Sequence, residues 1–149
     1  MILSAAQVTE AGVQGGWAMG LAGTVHYSDL DAYNHVNNKI YHTWFENLRV
    51  CYVQGFGLFG GESPYKIVVR RAGIEYHAQM LFGEDYITGI RCSRIGNSSF
   101  DFQYGVFVNG ELRTSGDTQM VLVNETATKS MPLTDEMRLY LEGTPQRGA

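Results

Sequence analysis

The stretch from Tyr27 to Arg49, YSDLDAYNHVNNKIYHTWFENLR, joins a polar loop directly to an amphipathic helix. Large or apolar side chains recur there at the i, i+3, i+4 and i+7 spacing that lines one helix face. These side chains are Ile40, Tyr41, Trp44, Phe45, Leu48, Cys51 and Tyr52. Asn37 or Asn38 can cap the start, and the glycine-rich run after Gln54 cannot easily continue a helix. The spacing therefore predicts a helix from about Asn37 to Gln54.

Length and composition limit the class of protein. The chain has 149 residues, of which 44% are hydrophobic, which suits one domain with a single core. A formal net charge of -4 argues against nucleic-acid binding, which needs clustered Lys and Arg. No run approaches the roughly 18 apolar residues of a membrane-spanning helix, and no positive charge precedes an apolar segment at the N-terminus. We therefore expect a cytoplasmic protein without membrane contact.

The rest of the chain alternates strand patterns with turns. Residues 1–22 lack a sustained period and are predicted to be a loosely attached N-terminal tail, before a single domain over residues 23–149. Period-two patterns and turn residues predict five strands. They cover Thr24–Ser28, Ile67–Met80, Tyr86–Arg94, Phe100–Val108 and Glu111–Val123. Asn109-Gly110 is typical of a type I′ hairpin turn. Thr134 can cap a short terminal helix that ends before Gly143.

These elements predict an α+β domain in which an antiparallel sheet wraps around one long apolar helix, because that arrangement buries both periodic faces. Metal binding is not expected, since His42 and His77 have no Asp, Glu or Cys partner at metal-ligand spacing.

The string D-x-D-A-Y-x-H-V-N-N-x-x-Y-x-x-x-F-E-x-x-R resembles the hotdog-fold acyl-CoA thioesterases. It is most similar to their 4-hydroxybenzoyl-CoA thioesterase-like branch and, within that branch, to long-chain acyl-CoA thioesterases. The residues that carry the resemblance are Asp31, His35, Val36, Asn37, Asn38, Tyr41, Phe45, Glu46 and Arg49. The resemblance implies a hotdog fold with one long central helix, a thioester substrate from fatty acid metabolism, no further cofactor, and a homodimer or homotetramer.

The resemblance also implies roles for residues of the opening stretch. Asp31 is expected to act as the nucleophile or the general base, and the backbone N–H of Asn38 to polarise the thioester carbonyl. Four neighbours are expected to contact the substrate. They are Tyr33, Asn34, His35 and Asn37. Asn34 stands where related sequences often carry glycine.

Coenzyme A recognition is less clear from the resemblance. Relatives often place basic residues for the nucleotide phosphates just before a Ser-Phe pair, which here is Ser99-Phe100, and only Arg94 is near it. Coenzyme A binding is then expected either to be weaker or to depend on Arg70, Arg71 or Arg91 instead, and an acyl-carrier-protein thioester becomes an alternative substrate. Aromatic residues available to line a pocket suggest a long or aromatic acyl group. They are Tyr33, Trp44, Phe56 and Phe59.

Two further functions remain open. A hotdog enoyl-thioester hydratase is one, although D-A-Y-N-H lacks the proline that those enzymes usually place between the asparagine and the histidine. A non-catalytic acyl-CoA-binding module is the other, although such sensors usually carry a DNA-binding segment, and nothing before Gly23 is long or basic enough for one.

Overall fold

The computed structural model describes residues 1–56 and 64–143. Its strands are β1 Ile2–Ser4, β2 Met19–Thr24, β3 Tyr65–Tyr76, β4 Asp85–Ile95, β5 Ser99–Val108 and β6 Glu111–Asn124. Its α-helices are α1 Ala5–Glu10, α2 Asn38–Val53 and α3 Asp135–Leu141. Within the described ranges, all strand pairs are antiparallel and form one six-stranded sheet in the order β1-β2-β4-β5-β6-β3. The prediction of an α+β domain with an antiparallel sheet is confirmed.

Helix α2 packs its aromatic side against one face of the sheet. Trp44 stacks on Tyr86 of β4 with ring centroids 4.1 Å apart. Phe45 stacks on Tyr104 of β5 at 4.6 Å. A Cβ at Gly116 of β6 would lie only 2.6 Å from the Phe45 ring, so this strand approaches the helix closely. Burial of each side chain of this size contributes about 1.5–3 kcal/mol to the stability of the fold. The helix face predicted from the spacing therefore fixes α2 on the sheet.

The N-terminal segment corrects the prediction of a loosely attached tail over residues 1–22, which is wrong. β1 pairs with β2, and β2 pairs with β4. A second buried cluster lies on the sheet face opposite α2, and its members are Leu3, Val8, Val13, Trp17 and Phe107. Cβ atoms at Gly89 and Gly105 would lie 2.7 Å and 3.1 Å from the Trp17 ring. The sequence pattern does not predict this cluster, because the space for Trp17 comes from the absence of side chains at Gly89 and Gly105.

The first strand is also displaced from its predicted position. It ends at Thr24 instead of beginning there, and Tyr27–Asp29 form a short 3-10 turn. Tyr86 and Asp85 lie opposite Gly23 and Thr24 in the pairing with β4. The strand therefore begins earlier than its apolar pattern suggests, since the small residues before Thr24 fit against β4.

Strand β3 is shorter than predicted and forms one edge of the sheet. It ends at Tyr76 rather than Met80, and its pairing with β6 shifts between Val69 and Arg71, as at a β-bulge. The chain then turns through residues 77–84, where Met80 is completely buried. The preceding glycine-rich residues 57–63, which include the predicted pocket residue Phe59, lie outside the described residues.

The local turn and cap predictions are confirmed. Asn109 and Gly110 have φ values of 51° and 76°, as a type I′ turn requires. Thr134 accepts a hydrogen bond from the Met137 N–H at 3.1 Å, and Gly143 follows α3 with a φ of 96°. Among the described residues, no helix has the length and apolar character needed to cross a membrane.

Candidate functional site

The loop before α2 folds into a tight turn around Asp31. The Asp31 N–H donates to the His35 carbonyl at 2.8 Å, and the Asn34 N–H donates to the Asp31 carbonyl at 3.1 Å. The Asp31 side chain accepts at Oδ1 from the N–H groups of Tyr33 and His35, at 2.8 and 3.3 Å. This is an Asx-type turn. Because no hydrogen bond within the described residues reaches Oδ2, the second oxygen is left for other chemistry.

Asn34 occupies a left-handed backbone conformation, with a φ of 62°. Glycine adopts this conformation without strain, and asparagine tolerates it better than most other residues. The glycine that the resemblance leads us to expect at this position would satisfy the same backbone conformation. Asn34 preserves the turn that holds Asp31, and its side chain is largely exposed.

The first turn of α2 leaves one backbone donor unused. Asn37 is the N-cap, and its side chain accepts from the Lys39 N–H at 3.1 Å. The Ile40 N–H donates to the Asn37 carbonyl at 2.9 Å. In the part of the chain that the structure describes, the Asn38 N–H has no acceptor. It lies at the positive end of the helix dipole, where a developing negative charge is stabilised.

Two contacts with distant segments fix this helix start. The Val36 N–H donates to the Met80 carbonyl at 3.0 Å. The Tyr76 hydroxyl donates to the Asn38 carbonyl at 3.3 Å, and its ring meets the Tyr41 ring edge-on with centroids 5.4 Å apart. The sequence pattern assigns Tyr76 only to an alternating strand and Met80 only to the strand end. Neither signal indicates a contact with α2.

Exposed aromatic side chains lie in and beside the loop, but only some of the aromatic residues expected to line a pocket are among them. Tyr33 and Tyr27 are 80% and 78% exposed, and Tyr27 packs edge-on against the exposed Phe82. Trp44, which the sequence places on the apolar helix face and also among the aromatics available to a pocket, is buried in the core against Tyr86. Burial, with a smaller contribution from the nearby Asp29 carboxylate, raises the pKa of Tyr86 to about 12. The Tyr86 hydroxyl therefore stays protonated at neutral pH.

Arg94 lies away from the Asp31 loop. It donates to both carboxylate oxygens of Asp101 at 2.9 and 3.0 Å, and this hydrogen-bonded pairing raises the pKa of Arg94. Its neighbour Ile95 pairs with Phe100 at the end of the sheet near the last turn of α2, where Tyr52 packs on Phe102. With 16 residues, α2 is about 24 Å long. The structure therefore does not bring Arg94 together with Asp31.

Arg70 and Arg71 lie on the edge strand β3, six and five residues before Tyr76, and both are exposed. At the rise of an extended strand they are about 17–20 Å from the Tyr76 end. The remaining predicted site residues all belong to one loop and the helix that follows it. They are Asp31, Tyr33, Asn34, His35, Asn37 and Asn38. Among the described residues, no group of three His, Cys, Asp or Glu side chains has the geometry of a metal site.

Comparison with known proteins places this arrangement among related chains. The model of the thioesterase-like superfamily matches residues 25–141. A thioesterase-superfamily protein from Jannaschia sp. CCS1 superposes with a TM-score of 0.87 at 25% identity, covering 100% of this chain and 95% of its own. A thioesterase from Thermus thermophilus, crystallised with coenzyme A and zinc, superposes with a TM-score of 0.76 at 24% identity, covering 91% and 98%. The uncharacterised protein YsmA of Bacillus subtilis is 27% identical over 114 residues, which cover 76% of this chain and 78% of YsmA.

Proposed function

Because the chain belongs to the thioesterase-like superfamily, we propose that it hydrolyses acyl-CoA thioesters to a free acid and coenzyme A. The observation that supports this most directly is the unit formed by Asp31 and α2. A carboxylate with one uncommitted oxygen is held a few residues before an unpaired N–H at the positive end of a helix. The Thermus thermophilus relative, which binds coenzyme A, supports the choice of thiol. The same membership supports a hotdog arrangement, with the sheet curved around α2 as the central helix.

The proposed reaction needs one base and one oxyanion donor. Asp31 takes a proton from water, and the water oxygen attacks the carbonyl carbon of the thioester. The resulting oxyanion accepts a hydrogen bond from the Asn38 N–H. When the intermediate collapses, the C–S bond breaks and the proton on Asp31 passes to the departing thiolate. In the alternative route, a carboxylate oxygen of Asp31 attacks the carbonyl carbon and the C–S bond breaks to release the thiolate. Water then hydrolyses the mixed anhydride, which frees the acid, regenerates Asp31 and supplies the proton for the thiol.

Replacing Asp31 with asparagine removes the base and keeps an oxygen that can accept the turn hydrogen bonds. We expect hydrolysis to fall by at least about 10²-fold, the usual contribution of a general base, without loss of folding. The measurement is thiol release from acyl-CoA of several chain lengths, since the exposed rings of Tyr27 and Tyr33 favour a long or aromatic acyl group. Asp29→Asn is the matched control, because the amide can still accept from the His26 N–H. Full activity in Asp31→Asn would exclude the proposed role.

The oxyanion donor can be removed by a single substitution, Asn38→Pro. Proline lacks the N–H but fits the first position of a helix, and Asn37 already has the extended backbone that precedes proline, with φ -65° and ψ 138°. We expect kcat to fall by about 10²–10³, as for other single oxyanion donors. Circular dichroism should show α2 intact. Asn38→Ala, which keeps the N–H, should retain activity; equal losses in both variants would assign the role to the side chain instead.

Arg70 and Arg71 are the proposed phosphate-binding residues, in preference to Arg94. From the sulfur of coenzyme A to its pyrophosphate there are about thirteen bonds, or about 15 Å when extended. A thioester at Asn38 with its arm along β3 therefore reaches close to Arg70 and Arg71. Arg94 is already paired with Asp101 and lies towards the other end of α2.

Replacing both Arg70 and Arg71 with alanine should raise KM for acyl-CoA by about tenfold, the size expected for a lost phosphate contact of about 1.5 kcal/mol. The N-acetylcysteamine thioester of the same acid has no phosphates, and its kinetics should not change. Lys66→Ala on the same strand is the control for a general loss of positive charge. An unchanged KM for acyl-CoA would contradict the assignment.

We also propose that β3 joins two copies into a homodimer, from which a homotetramer can form. Within the described residues β1 and β3 are the sheet edges, and β3 is much longer, with 12 residues against 3. It exposes the apolar Val68 and Val69, at 36% and 43%. A long sheet edge left open tends to pair with another strand.

The double substitution Val68→Lys and Val69→Lys should shift the protein towards the 16.6 kDa protomer, because it places like charges on both pairing strands. Light scattering coupled to size exclusion measures the mass. Ile2→Lys, on the opposite edge at a residue that is 62% exposed, is the control and should not change it. Dissociation by Ile2→Lys alone would assign the interface to β1.

A further inference from the structure

A short loop, residues 77–84, connects β3 to β4 and lies against the segment that carries Asp31. Its C-terminal end is hydrogen-bonded to Val25 in both directions. The Gly83 N–H donates to the Val25 carbonyl at 3.0 Å, and the Val25 N–H donates to the Glu84 carbonyl at 2.9 Å. In the middle, the Met80 carbonyl accepts from the Val36 N–H at 3.0 Å. The loop therefore holds the catalytic segment at its beginning and just before α2.

Arg113 of β6 holds this loop from the other side. Its Nη1 donates to the Gln79 carbonyl at 2.7 Å and to Oε1 of Glu84 at 3.1 Å, and its Nη2 donates to Oε2 of Glu84 at 3.0 Å. Its Nε lies 2.8 Å from Oε1 of Glu111. The side chains of Arg113 and Glu84 are only 16% and 22% exposed, so water weakens this pair less than an open surface pair.

Glu84 adds a link inside the loop. Its Oε1 also accepts from the Leu81 N–H at 2.6 Å. Partial burial opposes its ionisation, but the hydrogen bonds from Arg113 and the Leu81 N–H outweigh burial and lower the pKa of Glu84. Arg113 and Glu84 together fix Gln79 and Leu81, the residues on either side of the buried Met80. The hydrogen bonds on both neighbours of Met80 thereby fix the position of its carbonyl.

We infer that Arg113 is a positioning residue for the oxyanion donor, acting through the loop 77–84 and the Met80–Val36 hydrogen bond. Val36 is two residues before Asn38, so a displaced Met80 carbonyl moves the start of α2. Oxyanion stabilisation needs the donor within a few tenths of an ångström of its place. The catalytic consequence rests on the proposed thioesterase function, whereas the link between Arg113 and Val36 does not.

Hydrogen exchange at the Val36 amide tests the link directly, because this N–H is the one bound to Met80. Arg113→Met should raise its exchange rate by at least about tenfold, the loss expected for one charge-assisted pair. The matched control is Arg138→Met, since the Arg138 guanidinium donates to the Gly96 carbonyl at 2.9 Å in a loop elsewhere on the sheet. Unchanged Val36 exchange in folded Arg113→Met overturns the inference.

Kinetics test the catalytic consequence. For Arg113→Met we expect kcat to fall by about tenfold or more, with KM within about threefold of the wild-type value. The reason is that a misplaced donor stabilises the transition state less but leaves substrate binding almost unchanged. Arg113→Lys keeps the charge but not the two-pronged geometry and should restore part of kcat. A merely structural role would lower the yield of folded protein and leave kcat per folded site unchanged, which overturns the inference.

Glu84→Gln provides the same test if Arg113→Met does not fold, because it removes the charge while keeping the size and one acceptor. It should also raise Val36 exchange and lower kcat. If the wild-type protein releases no thiol from acyl-CoA, but Val36 exchange still depends on Arg113, the proposed function fails and the structural link stands. If the protein hydrolyses acyl-CoA and Arg113 affects neither quantity, only the inference fails.

Discussion

The packing of the α2 aromatic face on the sheet is the constraint on which the rest of the site depends. A helix cannot satisfy its own first N–H groups, so a fixed helix start is also a fixed hydrogen-bond donor. Trp44 and Phe45 set the distance between helix and sheet through stacked rings on β4 and β5. The buried apolar surface thus helps to determine where the Asn38 N–H points.

Glycines in the strands make this packing possible on both sheet faces. Gly116 admits Phe45 on the helix side, while Gly89 and Gly105 admit Trp17 on the other. Glycine normally destabilises a strand, because it raises the backbone entropy of the unfolded chain and has no side chain to pack. Here the rings fill the space that the missing side chains leave. The N-terminal segment therefore belongs to the packed structure, with Arg91 placed 4.4 Å over the Trp17 ring.

The two oxygens of the Asp31 carboxylate differ in their hydrogen bonding among the described residues. One carboxylate oxygen holds the turn by accepting two backbone N–H groups, and the other has no partner among the described residues. Arginines divide in a similar way. Arg94 and Arg113 are paired with carboxylates, whereas Arg70 and Arg71 on β3 are exposed.

Elements with local signals can be predicted from the amino-acid sequence. The α2 face, an asparagine cap at Asn37 or Asn38, the Asn109-Gly110 turn and the Thr134 cap follow from spacing and short-range hydrogen bonding. The structure shows each of them, with Asn37 as the cap. Tertiary packing, by contrast, sets the position of the N-terminal residues, the end of β3, the pairing of Arg94 and the contacts of Tyr76 and Met80. These depend on partners far along the chain, such as Arg113 and Gln79, which are 34 residues apart. Periodicity reports which face of an element is buried, but it does not report what lies against that face.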